Sequence, residues 1–311
     1  MFNILVTGGL GYIGSILTRY LLEEGYKVTI IDNNLYKENS LADVYINEKL
    51  KLINGDIRDN ELMSSLISNN DIIIPLAALV GAPLCTKEPL AATSINKDAM
   101  SWLFKNISKD QIILMPTTNS AYGTGNRDNY CDENSKLNPI SKYAIDKVRV
   151  EEELLNLKNA ISLRLATVFG MSPRMRLDLL VNDFVYRAVK DRFIVIFEGH
   201  FKRNFIHVRD VARCFLHCIK NFEKMNNEIF NVGLSNANLS KIELCKEIKK
   251  QIPAFNFFES ELNKDPDQRN YIVSNLKIEK TGFHPIINLD KGIQELIKGF
   301  TFFDDLNYKN A

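Results

Sequence analysis

The sequence has almost no excess of charge, and it has no apolar run long enough to cross a membrane. Its 39 Lys and Arg residues nearly balance its 38 Asp and Glu residues, which gives a formal net charge of +1. Proteins that bind nucleic acid through phosphate contacts carry basic patches, so we expect no nucleic-acid partner. No apolar stretch approaches the ~18 residues of a membrane span, and the first residues read as a buried strand rather than a signal peptide. We therefore expect no membrane association and a cytoplasmic location.

Cysteine is scarce and ungrouped. The five cysteines are an odd number and show no metal-ligand spacing. Cys214 and Cys218 lie one helical turn apart beside His217, but apolar residues surround them, so we interpret them as small core side chains. We expect no metal centre. Reduced thiols also agree with a cytoplasmic protein.

The N-terminal stretch is the most informative part of the sequence. The apolar run 2–6 predicts a buried strand, and residues 16–24 have apolar side chains at helical spacing. Between them stands a glycine-rich turn with GxxGxxG spacing. A strand, a tight glycine turn and a helix place backbone N–H groups where the diphosphate of a dinucleotide can bind. The turn residues predicted to bind the cofactor are Gly8, Gly11, Tyr12, Ile13 and Gly14.

A carboxylate follows the second predicted strand, residues 27–31, about 20 residues after the glycine turn. Asp32 stands at the end of that strand, where a carboxylate binds the ribose hydroxyls of the adenosine. It would repel a 2′-phosphate, and no arginine follows directly in the stretch that begins with Asn33. The cofactor is therefore predicted to be NAD rather than NADP.

Strand-like and helix-like segments alternate through the first half of the chain. This alternation predicts an α/β fold, with a doubly wound parallel sheet of the Rossmann type. Asp32, Asp56, Ala77 and Thr118 fall at the carboxyl ends of strands, where ligands bind in such sheets. Further strands are predicted at 50–55, 71–78 and 111–115, and helices at 60–68 and 89–107. We expect an NAD-binding domain (1–170, with 204–232) and a smaller, interleaved substrate domain (171–203 and 233–311).

A tyrosine and a lysine at i and i+4 form the candidate catalytic pair. Tyr143 and Lys147 would share one face of a helix. A nearby lysine cation lowers the pKa of a phenol from ~10 toward the working pH. The phenolate can then take a proton from an alcohol while hydride leaves the same carbon. Such a pair is common on surfaces, but it is specific when combined with the glycine turn and the segment 116–123.

These features together resemble the extended short-chain dehydrogenases/reductases of the nucleotide-sugar epimerase/dehydratase type. The resemblance covers nearly the whole chain, through the glycine turn, residues 55–59, 203–212 and 230–233. It implies that Thr118 is the hydroxyl partner of Tyr143 and that Lys147 also binds the nicotinamide ribose. The further residues predicted to bind the cofactor are Asn33, next to Asp32, then Asp56 and Ile57 at the adenine, and Leu76, Ala77, Ala78, Asn96 and Tyr143.

The C-terminal part is expected to bind a nucleotide sugar. In similar enzymes the arginines that match Arg203 and Arg269 hold the substrate diphosphate, for which the planar guanidinium is suited. Arg174 and Arg192 are expected to be surface arginines in weak ion pairs, and His207 to cap or orient local backbone. The residues predicted to bind substrate are Val80, Thr118, Asn119, Ser120, Arg176, Asn182, Arg203 and Arg269.

Relatives of this type begin with oxidation at C4 of the sugar and differ in the steps that follow. In the 4,6-dehydratases an acidic pair, or at least a glutamate, follows the catalytic threonine. Here Asn119 and Ser120 follow it, and neither is a useful acid or base near neutrality. The 3,5-epimerase/reductases carry a cysteine at the position of Ser120, and a serine without an adjacent base would not abstract a sugar proton. The resemblance therefore favours chemistry confined to C4.

Two C4 reactions stay open, a 4-epimerase and a 4-dehydrogenase. The runs 172–182 and 80–83 look most like a bacterial subgroup that acts on capsule and surface sugars and includes GDP-heptose 4-dehydrogenases. Thr167 stands where galactose epimerases carry an asparagine. A non-catalytic NAD-sensing regulator is the alternative from another class, and the intact catalytic set argues against it. The resemblance also implies a homodimer through the helices at about 89–107 and 141–157.

Overall fold

The computed structural model describes residues 2–124, 130–261 and 269–302. Strands and helices alternate through its first half. The strands are β1 (Asn3–Thr7), β2 (Lys27–Asp32), β3 (Leu50–Asn54), β4 (Ile72–Pro75), β5 (Ile112–Thr118), β6 (Tyr130–Cys131), β7 (Ala160–Leu165), β8 (Thr167–Phe169), β9 (Phe193–Phe197), β10 (Lys202–His207), β11 (Glu228–Val232), β12 (Asn238–Ser240), β13 (Asn256–Ser260) and β14 (Ile272–Val273). The α-helices are α1 (Tyr12–Glu23), α2 (Asn60–Ile67), α3 (Ala82–Lys87), α4 (Pro89–Thr93), α5 (Ala99–Asn106), α6 (Lys142–Leu154), α7 (Leu180–Lys190), α8 (Val208–Lys220), α9 (Phe222–Met225), α10 (Lys241–Gln251), α11 (Leu276–Glu279) and α12 (Leu289–Phe302).

A seven-stranded parallel sheet forms the centre of the fold. Its strands lie in the order β11, β7, β5, β4, β1, β2, β3, and every neighbouring pair is parallel. The order reverses between β1 and β4, and ligands bind at the carboxyl ends of the strands beside such a reversal. The predicted fold class, a doubly wound Rossmann-type sheet, is confirmed.

Alternate side chains of the sheet enter two separate apolar cores. Ile4 and Val6 of β1 pack in a core shared with α1 and α8. Leu5, which lies between them in sequence, packs on the opposite side with side chains from α2, α5 and α6. Because both faces of the sheet are covered, its strands read as continuous apolar runs rather than as alternating patterns.

Some predicted elements have other bounds in the structure. The strand predicted over 71–78 is β4, which ends at Pro75. β5 extends to Thr118, through Pro116, which pairs with Leu163 of β7. β4 pairs with β5 only at Ile112 and Ile113, so the missing N–H of proline breaks no bond to β4. The single helix predicted over 89–107 is divided into α4 and α5 by a π-helical segment, Ser94–Asp98, a feature that often marks functional sites.

The chain leaves the large sheet after β7 and returns to it at β11. β11 lies at the edge of the sheet, beside β7. β8 and β12 pair with β10 in a separate small sheet, while β9 pairs with β13 and β6 with β14. The division into NAD-binding and substrate-binding domains stays a proposal, since β8 falls in the residues predicted for the first domain and pairs outside the large sheet.

Helix α8 contains the two cysteines that are one turn apart. Cys214 and Cys218 are fully buried in the core beside Phe215, and His217 shares a hydrogen bond with Thr281, Nε2 to Oγ1, of 2.9 Å. Within the described ranges no three His, Cys, Asp or Glu side chains come together as metal ligands. No helix in that part of the chain combines the length and apolarity that a membrane span requires.

A buried ionic network fixes α6 against the end of β5. Glu151 of α6 accepts hydrogen bonds from Arg164 of β7 at 2.6 and 3.0 Å. The same carboxylate accepts from the hydroxyls of Ser162 (2.6 Å) and Thr117 (3.0 Å). Arg164 also donates to the hydroxyl of Tyr122 at 2.9 Å. Both members of the ion pair are 4% exposed, so the position of α6 depends on a desolvated pair.

We expect Glu151→Ala to lower the free energy of unfolding by about 3–5 kcal/mol, because it leaves the Arg164 guanidinium buried without its carboxylate. Urea unfolding followed by circular dichroism measures this loss. The control is Glu228→Ala, which removes a 2.6 Å ion pair with Lys277 whose side chains are 52% and 37% exposed. It should cost less than about 1 kcal/mol. Equal losses in the two variants would contradict the importance of the network.

Candidate active site

The turn between β1 and α1 requires glycine at two positions. Gly8 has φ +71°, and a Cβ there would lie 2.6 Å from the backbone nitrogen of Ala77. A Cβ on Gly14 would lie 2.4 Å from the carbonyl oxygen of Gly8. No side chain caps the first turn of α1 after Gly11, and that turn contains no acidic residue. Its N–H groups and the positive end of the helix are therefore suited to a phosphate.

A first cavity extends from this turn along the ends of β2 and β3. Asp32 accepts hydrogen bonds from the backbone N–H groups of Leu10 (3.0 Å) and Asn34 (2.8 Å). Asp56 forms a 2.7 Å ion pair with Arg58, which holds the pKa of that carboxyl below its usual range. The Asp56 carboxylate therefore stays charged at neutral pH. The other residues of this cavity that were predicted to bind cofactor are Gly8, Gly11, Asn33, Ile57, Leu76, Ala77 and Ala78.

Asn96 lies in the π-helical segment and shapes the loop after β4. It is 1% exposed. Its side-chain oxygen accepts from the N–H of Leu79 at 2.9 Å, and its amide nitrogen donates to the carbonyl of Leu79 at 2.8 Å. These bonds position the loop that carries the alanines of the cofactor cavity. Direct contact between Asn96 and NAD stays a prediction.

The predicted catalytic residues line a second, larger cavity of about 540 Å³. Thr118 reaches it from the end of β5, and Tyr143 and Lys147 reach it from one face of α6. The helix begins after Ser141, whose hydroxyl accepts from the N–H of Ala144 at 3.2 Å, so the cap determines where the tyrosine enters the cavity. The three residues come from separate elements and meet at the carboxyl end of the sheet.

The prediction that Lys147 lowers the pKa of Tyr143 is wrong, because burial has the larger effect on the phenol. Burial raises the pKa of Tyr143 to about 12, and the charges that oppose this are those of Arg176 and Arg269. Burial also lowers the pKa of Lys147 to about 8, and its ammonium donates to the carbonyl of Pro116 at 3.1 Å. At each of the two groups desolvation outweighs the effect of the nearby charges on the pKa.

The residues after the catalytic threonine form a short hydrogen-bonded chain. Thr118 donates to the hydroxyl of Ser120 at 2.9 Å and accepts from its N–H at 3.1 Å. Arg269 also donates to the Ser120 hydroxyl. Asn119 is fully buried, and its two amide atoms have no hydrogen-bond partner among the described residues. It does not line the cavity as described, so its predicted substrate contact stays a prediction.

Arginines give the large cavity a positive wall. Arg176, Arg203 and Arg269 all line it, together with Val80. Arg176 is paired with Asp178 at 2.5 Å, and Arg203 is 4% exposed. The sequence therefore brings together three cations that are far apart along the chain. A diphosphate is the ligand that such a set of planar guanidinium groups binds best.

Tyr12 and Asn182 hold one loop of this wall in place. The Tyr12 hydroxyl donates to the carbonyl of Gly170 at 2.6 Å, and its burial raises its pKa. Asn182 is fully buried. It accepts from the N–H of Gly170 at 3.0 Å and donates to the carbonyl of Arg176 at 2.9 Å. Both residues fix the loop that carries Arg176, and Tyr12, Ile13 and Gly14 also line the large cavity.

Tyr36 and Arg174 line both cavities, although neither was predicted from the sequence as a site residue. Arg174 is 2% exposed, so its prediction as a surface arginine is wrong, whereas Arg192 is exposed as predicted. The sequence feature that could have indicated this site is the set of alternating charged residues in 172–178, which are Arg174, Arg176 and Asp178. Such a set is unusual for a buried segment. His207 caps α8, because its Nδ1 accepts from the N–H of Arg209 at 3.2 Å, as predicted.

The fold and the site together define a dinucleotide-dependent oxidoreductase. The chain belongs to the NAD-dependent epimerase/dehydratase family, whose model matches residues 4–233. Its cofactor is NAD. The uncapped start of α1 suits the diphosphate of NAD, and the carboxylates of Asp32 and Asp56 suit its adenosine. When bound, NAD accepts hydride from the substrate. The residues that would hold it are those of the glycine turn and of the first cavity.

The chain is similar along nearly its whole length to enzymes of several nucleotide-sugar reactions. It is 28% identical to the UDP-N-acetyl-alpha-D-glucosaminuronate decarboxylase of Bacillus cytotoxicus, over 95% of this chain and 97% of that protein. It is 26% identical to the human dTDP-D-glucose 4,6-dehydratase, over 96% and 89% of the two chains. Among solved structures, the UDP-glucose 4-epimerase of Thermotoga maritima with UDP-glucose has a TM-score of 0.83 and 26% identity, over 96% and 98% of the two chains.

We expect the protein to bind NAD(H) at least ~10-fold more tightly than NADP(H), because a 2′-phosphate would meet the Asp32 carboxylate. Asp32→Asn removes the charge and keeps an acceptor for the N–H of Leu10, so it should reduce this preference severalfold without unfolding the turn. Calorimetric titration with both cofactors measures the ratio. Equal binding of the two cofactors by the unmodified protein would overturn the assignment.

Tyr143→Phe should leave NAD binding intact and lower the rate of sugar oxidation at least ~10²-fold, because only the proton acceptor is lost. The matched control is Tyr45→Phe, which removes an exposed hydroxyl bonded to Asn39 at 2.6 Å and should keep full activity. NAD titration and stopped-flow absorbance measure the two properties. A Tyr143→Phe variant with near-native turnover would show that another group is the base.

Proposed function

We propose that the protein oxidises C4 of a nucleotide-activated sugar and does not eliminate water. The observation that carries this proposal is the chemistry of the cavity wall. Among the described residues that line the large cavity, the carboxylates are Asp178 and Asp183. The first is paired with Arg176 at 2.5 Å and the second with Arg187 at 2.9 Å. Neither follows the catalytic threonine, where dehydration would need an acid and a base.

Each group of the site has a separate role in the proposed reaction. Tyr143 takes the proton of the C4 hydroxyl, and Thr118 binds the same hydroxyl. Lys147 binds the nicotinamide ribose. The arginines of the cavity wall, Arg203 and Arg269 in particular, bind the substrate diphosphate. Burial raises the pKa of the Tyr143 phenol, while the charges of Arg176 and Arg269 oppose that rise and so favour proton transfer to the tyrosine.

The fate of the 4-keto sugar separates two forms of the proposal. In the first, the keto sugar is released, as in a GDP-heptose 4-dehydrogenase of surface-polysaccharide biosynthesis; the run 172–182 supports this form. In the second, hydride returns to the other face of C4, as in a 4-epimerase. Similarity to the Thermotoga maritima UDP-glucose 4-epimerase supports the second form. An NAD-binding regulator without catalysis is disfavoured, since Thr118, Tyr143 and Lys147 share one cavity.

The expected homodimer is also a proposal. It would join α4, α5 and α6 to the same helices of a second copy. Leu90 of α4 is 86% exposed and Leu155, at the end of α6, is 41% exposed. Large apolar side chains on these helices favour a contact that covers them.

Incubation with NAD and a panel of GDP-, UDP-, dTDP- and CDP-sugars tests the reaction. The product should have the mass of the substrate or be lighter by two hydrogen atoms, because the C6 oxygen is retained. Mass spectrometry and NMR identify it, and accumulation of NADH distinguishes release of the keto sugar from epimerisation. Tyr143→Phe is the negative control. Loss of a water mass from any sugar would overturn the proposal.

A further inference from the structure

Arg174 occupies the boundary between the two cavities. It lies in the loop between β8 and α7, and it is 2% exposed. A buried guanidinium is costly unless charged or polar groups surround it. The residues that line both cavities, and so mark their boundary, are Gly8, Gly11, Tyr36, Leu76, Ala78 and Arg174.

Two side chains from the loop after β2 hold the guanidinium in place. Its central carbon lies 4.0 Å from the ring centroid of Tyr36, within the range of a cation–π contact. Its Nε lies 3.6 Å from a carboxylate oxygen of Glu38, which is too long for a hydrogen bond. Arg174 is therefore charge-compensated by Glu38 while its planar face is fixed by the tyrosine.

The loop that carries Arg174 is fastened to the first turn of α1. The hydroxyl of Ser172 donates to the carbonyl of Tyr12 at 2.7 Å and lies 3.0 Å from the hydroxyl of Ser15. The Tyr12 hydroxyl bonds the same loop at Gly170. These bonds hold the loop in a fixed position relative to the glycine turn, so the place of Arg174 beside that turn is built into the fold.

The residues around this boundary indicate which ligand binds there. The glycine turn and the uncapped start of α1 bind the diphosphate of NAD, and Gly8 and Gly11 of that turn share the boundary with Arg174. A diphosphate presents paired oxygens that match the fork of a guanidinium. The geometry points to Arg174 as a cofactor-binding residue whose guanidinium binds the NAD diphosphate from the side of the substrate loop.

The loop that carries Arg174 also carries a second arginine. The loop 170–178 carries Arg174 at the cofactor boundary and Arg176 in the wall of the large cavity. One loop therefore contacts both ligands, and it covers the dinucleotide with residues from outside the glycine turn. The inference rests on NAD as cofactor and is independent of which reaction occurs at the sugar.

Titration of cofactor-free protein with NAD, ADP and adenosine tests this inference. In Arg174→Met the dissociation constants for NAD and ADP should rise at least ~10-fold, the usual loss for one charge-assisted hydrogen bond. Adenosine, which has no phosphate, should bind about as well as it does to the unmodified protein. If binding of all three ligands weakens by the same factor, Arg174 only packs against the first cavity and the inference is overturned.

Two further variants keep the test decisive if Arg174→Met is poorly folded. Arg192→Met, the same change at an exposed arginine, should leave all three dissociation constants unchanged. Glu38→Gln removes the carboxylate that compensates Arg174, so it should strengthen binding of NAD and ADP, which a general loss of folding could not do. Weaker or unchanged diphosphate binding in Glu38→Gln would contradict the proposed contact.

Discussion

The close approach of backbone to backbone at the turn between β1 and α1 is the constraint on which the site depends. Gly8 lies against the loop after β4, and Gly14 lies against the carbonyl of Gly8, at separations that a Cβ would not allow. This packing sets the start of α1 at the point where the strand order reverses. The helix end, the carboxylates after β2 and β3 and the wall formed by α6 then face the same crevice.

Charge divides this crevice into two halves. The first cavity carries the carboxylates of Asp32, Asp56 and Glu38. The large cavity carries the guanidinium groups of Arg176, Arg203 and Arg269, and its two carboxylates, Asp178 and Asp183, are paired with arginines. Carboxylates are suited to bind the ribose hydroxyls of a dinucleotide, and arginines are suited to bind a substrate diphosphate. Arg174 lines both cavities, and we propose that it binds the cofactor diphosphate there. This arrangement would let two anionic nucleotides bind side by side.

The sequence was sufficient for features that depend on short spacings. Patterns of a few residues encode the glycine turn, the position of Asp32 at the end of β2 and the pairing of Tyr143 with Lys147 on α6. The alternation of strands and helices that predicts the sheet is also visible in short stretches of sequence. Arg174 was misjudged because its burial depends on Tyr36 and Glu38, which are distant in sequence. The raised pKa of Tyr143 was missed for a similar reason: desolvation is a property of the assembled wall.

The central claim, chemistry confined to C4, is tested most directly by isotope tracing. A nucleotide sugar that carries deuterium at C4 is converted in ordinary water, and the unlabelled sugar is converted in heavy water, with both products examined by NMR. The account predicts that the C4 deuterium appears on the nicotinamide or returns to C4, and that C5 takes up no deuterium from heavy water. Incorporation of solvent deuterium at C5 would show that a proton is removed there, and it would contradict the account.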